Sequence, residues 1–234
     1  MTSLDDAGAL LRRKAILESS VRRSPGMVER LRDLRAWQAA RFAQTYADLR
    51  REARYSGAID FFLRDVYGPQ DFSVRDRDLE RAVAYFGRLL PAAASVVLVR
   101  SIELDVLTVE LDQGLLPMLP ENLLSETSYA IAYRALGKAE LRQRQLDLLL
   151  DVISGLDRLA RQPLIGLLLS GARLPAQLAG FGVLQRFLET GFVAFEHMRD
   201  VESLLRIIRE RETCFMQALV SGTGETLCVP PSRA

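Results

Sequence analysis

Residues 95–112, SVVLVRSIELDVLTVELD, constrain the fold more than any other stretch of the chain. At about 100° per residue, Leu104, Leu107 and Leu111 form one apolar stripe, and Val106 and Val109 cover the opposite side. A helix that is apolar on two opposite sides belongs in the middle of a bundle. The segment is richer in valine than helices prefer, but it lacks clean alternation and finds no partner strand, so a helix over 92–113 is expected. Four carboxylates interrupt it: Glu103 and Glu110 on one flank, Asp105 and Asp112 on the other. Buried carboxylates must be paired, protonated or bound to metal. Pairing with arginine is the expected solution, with Arg75, Arg81, Arg134 and Arg186 as candidate partners. A di-metal carboxylate centre of the ferritin-like kind needs Glu-x-x-His on two helices, whereas this chain holds one histidine, His197. Glu196 directly precedes it, so the two do not share a helix face. No metal site and no cofactor are therefore expected.

Helical spacing recurs along the rest of the chain, with prolines at the gaps. A short amphipathic helix is expected over 4–23, ended by Ser24-Pro25-Gly26. A long helix follows from Met27 to Tyr55, with Leu31, Leu34, Gln38, Phe42, Tyr46 and Leu49 on one face. Ala58–Tyr67 reads as a short apolar helix, capped by Gly68 in a left-handed conformation and stopped by Pro69. Phe61, Phe62 and Phe72 should tie this connection to the core. Ser73-Val74-Arg75-Asp76 resembles a capping box and opens a helix to Leu90. Beyond the linker Leu116–Pro120, helices are expected at 121–136, 138–161, 175–199 and 200–219. The fold class is all-α, a multi-helix bundle. Residues 1–57 read as an N-terminal helical arm, 58–220 as the bundle and 221–234 as a mobile tail.

Composition narrows the function classes. Apolar residues make up 49% of the chain and charged residues 26%, with a net charge of +1, so no global field draws it to nucleic acid or anionic membrane. Lysine occurs only at positions 14 and 138; the other basic residues are arginine, a bias that a GC-rich genome also produces. Arginines crowd residues 12–54, but Glu18, Glu29, Asp33, Asp48 and Glu52 interleave with them. That mixture marks a solvated or salt-bridged face, and nucleic acid is not an expected partner. No apolar run approaches the ~18 residues of a membrane span. The N-terminus, MTSLDDAG, carries acids where a signal peptide has basic residues. Cys214 and Cys228 read as reduced thiols, and a cytoplasmic location is expected.

No nucleotide loop, zinc motif or nucleophile elbow is present. Asp147 and Asp151 share a helix face, as do the aspartate pairs of helical isoprenoid synthases. Those enzymes need two acidic motifs facing across a cavity, and Arg142, Arg144 and Arg158 beside this pair suit a solvated edge. His197 points away from the core stripe Leu178, Phe181, Leu184, Leu188, Phe192 and Phe195, so it reads as a surface residue. Glu189 flanks the same stripe and suits a salt bridge. Gly180, Gly182 and Gly191 in this segment suit close approach of another helix.

Three blocks carry a family resemblance: Phe61-Phe62-Leu63-Arg64-Asp65-Val66-Tyr67-Gly68-Pro69-Gln70-Asp71-Phe72-Ser73-Val74-Arg75-Asp76, Ile102–Leu107 and Leu184–Phe192. Together, over residues 56–220, they resemble a family of uncharacterised bacterial all-helical proteins with an FFLxDxYGPxDFxxRD block. The resemblance implies a fold unit and no mechanism, so no catalytic residue follows from it.

Two functions remain open. One is a non-enzymatic helical bundle that binds a protein partner or itself. The other is a helical enzyme or small-ligand binder with an acid-lined cavity around Glu103, Asp105 and Glu110. Tyr133, Arg134, Asp112 and Glu189 complete the candidate polar cluster. A dry core would favour the first function, and a polar pocket with an unpaired carboxylate the second.

Overall fold

The computed structural model describes residues 4–66, 73–87, 90–120 and 124–222. Among them there are eleven α-helices and no strand. The central one is α6 (Ala92–Leu115), which buries Val99, Ile102 and Val106 on one side and Leu104 and Leu111 on the other. Against its first side lie α1 (Leu4–Arg22) and α5 (Ser73–Phe86), where Ala7 and Leu11 join Val99, Ile102 and Val106 in a core cluster. On the other side runs α8 (Ala139–Ala160), the partner that α6 meets most extensively. The two approach so closely that a Cβ placed on Gly155 would lie 2.5 Å from Val97 Cγ2.

The expected helix over 27–55 is three helices. Helix α2 spans Pro25–Thr45, α3 Ala47–Arg51 and α4 Ala53–Phe61. Proline at the first helical position gives up an N–H that would lack an intrahelical partner anyway, so the break falls at Ser24 and the helix includes Gly26. The chain turns again at Tyr46 (φ −112°, ψ 19°) and Glu52 (φ −83°, ψ 119°). A straight helix of that length would run about 44 Å and leave the core. Each turn instead keeps the apolar row inward, and Tyr46, Leu49, Tyr55, Ala58 and Ile59 are all buried. A π-helical turn, Phe62–Val66, follows. Phe61 and Phe62 are buried as expected, while Gly68 and Phe72 lie outside the described residues.

Helix α7 (Glu126–Leu136) begins with reciprocal bonds between Ser125 and Ser128. Its end is Gly137 at φ 63°, where the absence of a Cβ permits the left-handed turn. The linker Leu116–Pro120 is partly a 3-10 turn, with Leu116 and Leu119 buried.

Pro175 does not start a helix. It lies inside α9 (Pro163–Leu178), where the missing N–H costs one intrahelical bond near the exposed C-terminal end. The break comes after it, at Gly180 (φ 79°), before α10 (Gly182–Glu196). This break removes Leu178 and Leu188 from the expected core stripe: Leu178 is 81% and Leu188 42% exposed. Phe181, Leu184 and Phe195 remain buried. Helix α11 (Val201–Ser221) closes the bundle against α7 and α8. Cys214 on α11 is disulfide-bonded, so the expectation of a reduced thiol does not hold there; Cys228 lies outside the described residues.

Candidate functional site

The four acids of α6 find partners, but not the arginines expected. Glu103 accepts from Arg144 at 2.8 Å and lies 3.4 Å from Arg100. Glu110 is bridged by Arg13 at 2.5 Å. Asp105 bonds Lys14, which also reaches Asp76 at 2.6 Å. Arg75 instead grips Asp76, Arg81 meets Asp78 and Arg134 donates to the Leu219 carbonyl. The partners differ because α1 lies along α6 and brings Arg13 and Lys14 into reach. Glu103, Asp105 and Glu110 are partly exposed on α6, each in its own ion pair. Glu189 is also peripheral, held by Arg173 at 2.8 Å and Gln185 at 2.9 Å. Asp147 is solvent-facing beside Gln143 and Arg209, and His197 is exposed.

Asp112 is the exception. It is 1% exposed and belongs to the wall of a pocket of mixed polar and apolar lining where α2, α6, α7, α8 and α11 converge. Helical spacing assembles the wall. Thr108 stands one turn before Asp112 on α6. Trp37, Gln38 and Arg41 come from α2, and Tyr129 and Tyr133 from α7. Helix α8 supplies Arg142 and Gln145, and α11 supplies Glu212 and Phe215. The space open to water is about 100 Å³, enough for several waters at ~10–15 Å³ each or for a small organic molecule.

The polar groups of the wall are unevenly satisfied. Gln38 donates to Asp112 Oδ1 at 3.0 Å. Arg35 Nε stands 3.7 Å from Asp112 Oδ2, an ion-pair distance too long for a hydrogen bond. Oδ2 is therefore buried with no hydrogen-bond partner. Burial raises the Asp112 carboxyl above its ordinary range, against the pull of Arg35, Arg142 and Gln38. Arg41 donates to Glu212 at 2.6 Å, and Tyr46 donates to the same oxygen at 2.8 Å. Burial works against the Arg41 charge, but Glu212 outweighs it and raises the guanidinium. Burial, with Glu212 beside it, puts the Tyr46 hydroxyl well above its ordinary value. Burial also pushes Tyr133 up to about 12.

Arg142 is the most incompletely paired. It is 8% exposed. Its Nη1 donates to Gln145 Oε1 at 3.0 Å, and Gln145 donates in turn to Thr108 at 2.7 Å. Neither Nε nor Nη2 has a partner. The guanidinium lies 5.6 Å over the Tyr133 ring. Sequence reading placed Arg142 on a solvated edge beside Asp147. A usable signal was its register: Arg142 precedes Leu146, Leu149 and Ile153 by four, seven and eleven residues, which is the core face of α8. Of the residues singled out from sequence, Asp112 and Tyr133 meet here. Arg134, one position from Tyr133, points away to α11.

A second feature is apolar. No residue of α9 is buried. Leu164, Leu167, Leu168, Leu174 and Leu178 are between 52% and 81% exposed, although spacing by three and four puts them on one face. The helix packs on α10 and α8 through its other side, where the Phe192 ring lies close to Gly166. Its one charged residue, Arg173, is paired with Glu189.

No described helix is long and apolar enough to cross a membrane. Residues 18–226 match the family model described as Domain of unknown function (DUF8198), and the chain belongs to that family. No curated protein and no solved structure matches it.

Proposed function

We propose that this member of the family is a helical module that associates with a second copy of itself through the leucine face of α9. The exposed row Leu164, Leu167, Leu168, Leu174 and Leu178 carries the reading. Single exposed leucines need no explanation, but a contiguous patch of several hundred Å² marks an interaction surface. These five side chains expose on the order of 600 Å², against roughly 800 Å² per partner in a standard interface. A twofold contact sets the same patch against itself. This patch suits that, because its one guanidinium is already neutralised by Glu189 and no like charges would meet. A membrane surface is a poorer fit, since interfacial helices carry lysine and arginine along the polar face, and α9 has one such residue.

Sedimentation velocity at micromolar concentration tests this. The parent protein should sediment as a dimer. Leu167→Glu with Leu174→Glu should give a monomer that keeps the helical circular dichroism of the parent and still melts cooperatively, because neither side chain is buried in the fold. A parent that stays monomeric at high micromolar concentration, or a variant that remains dimeric, rejects the proposal.

A further inference from the structure

The geometry points to a second site: the pocket between α2, α6, α7, α8 and α11 binds a small organic carboxylate that also carries a hydroxyl or ammonium donor. The argument begins with the shape of arginine. Nε and Nη2 lie along one edge of the guanidinium, and two parallel N–H groups on that edge match the two oxygens of a carboxylate. Elsewhere in this chain the edge is used in that way. Arg161 holds both oxygens of Asp157 through Nε and Nη2, each at 2.9 Å. Arg75 uses the same two atoms on Asp76, both donating to Oδ1, at 2.9 and 2.8 Å. In Arg142 the edge is buried and unbonded, and no carboxylate among the described residues lies within ion-pair distance of it. A buried guanidinium is costly unless its charge is matched and its donors are satisfied.

The pocket offers a second pole. Asp112 Oδ2 is an acceptor with no donor, in the same wall as Arg142. Arg41 adds a further buried Nε with no acceptor. A ligand with a carboxylate at one end and an O–H or N–H close to it satisfies Arg142 and Asp112 together. The modest volume limits it to a few non-hydrogen atoms, and the Trp37 and Tyr133 rings supply apolar wall. Neither α9 nor its leucines contribute to the pocket, so this site stands apart from self-association.

Trp37 is the chain's one tryptophan and lies in the pocket wall, so its fluorescence reports occupancy. Acetate, lactate and glycine are titrated into the full chain up to about 10 mM, the range of weak small-ligand binding, each beside its primary amide, which lacks the carboxylate. Saturable changes are expected for the acids and not for the amides, with lactate or glycine binding more tightly than acetate. Arg142→Met should weaken binding at least tenfold. Arg142→Lys, which keeps the charge and loses the fork, should also weaken it. Repeating the titration on the Leu167→Glu/Leu174→Glu protein separates the sites: binding should persist there whatever the oligomeric state. No saturable response to any acid, equal binding of acids and amides, or unchanged affinity in both Arg142 variants overturns the assignment.

Discussion

Asp112 shows how a single residue acquires properties that its neighbours in sequence lack. Glu103, Asp105 and Glu110 share its helix, yet each meets a cation from another segment near the solvent boundary. Asp112 faces inward, and desolvation raises its carboxyl above the unfolded value of 3.8. A carboxyl raised in the folded state favours folding most when protonated. Its contribution falls as pH rises through the unfolded value towards the folded one. Asp112→Asn should therefore melt higher than the parent near neutral pH. The gap should narrow as pH falls and close near the unfolded value, as seen in melts of both proteins across that range. A gap independent of pH would mean that the carboxyl titrates alike in the folded and unfolded states. That one of the four acids would be interior was legible from the two-sided apolar pattern of 95–112. Which one was not, because the choice depends on where α1 lies, and α1 supplies Arg13 and Lys14 through contacts some ninety residues apart in sequence.

At the scale of elements, the sequence is informative wherever a local rule decides the outcome. Helices α6 and α8 start and stop within two residues of their expected limits, and α7 ends at Leu136 as expected, because prolines and Gly137 act locally; α7 begins at Glu126, after a serine cap that the reading missed. The 27–55 segment and Pro175 mislead for the opposite reason. The bends at Tyr46 and Glu52 answer to the curvature of the core, and Pro175 is tolerated because its turn of α9 is solvated. Close packing between elements makes its own prediction. Alanine in place of Gly155 gains about 1 kcal/mol in helix propensity, but its Cβ would meet Val97 at 2.5 Å, and overpacking costs roughly 1–3 kcal/mol. Gly155→Ala should thus be destabilising in the parent. With Val97→Ala present the penalty should largely vanish, giving a coupling of about 1 kcal/mol or more in denaturant unfolding. Additive effects would show that α6 and α8 do not meet at that crossing.

For the whole molecule, α6 organises the bundle: α1 and α5 complete one side of it, and α2, α3, α4, α7, α8, α10 and α11 build the larger core on the other. The aromatic and leucine clusters of that core carry the fold. The pocket occupies the junction where five helices meet, and the apolar face of α9 lies outside both. Sequence periodicity revealed the bundle but neither site. The pocket wall is assembled from five helices far apart in the chain. The leucine face of α9 falls in a stretch to which the sequence reading gave no helix, and among the described residues nothing covers it.

Lys14 has a chemical consequence for anyone handling the protein. The chain has two lysines. One is buried at 5% exposure with its ammonium clamped by Asp76 and Asp105, and the other, Lys138, is exposed. Burial opposes the Lys14 charge, but the two aspartates outweigh it and raise its pKa, leaving less neutral amine to act as a nucleophile. An amine-reactive dye should therefore label the native protein at Lys138 and at the chain-terminal amine, and spare Lys14. Peptide mapping by mass spectrometry would read this directly. Lys14 should become reactive only when α1 leaves its seat on α6, so the labelling rate at that one amine is a clock for the opening of the bundle. Native labelling of Lys14 as fast as Lys138 would show that α1 does not stay docked.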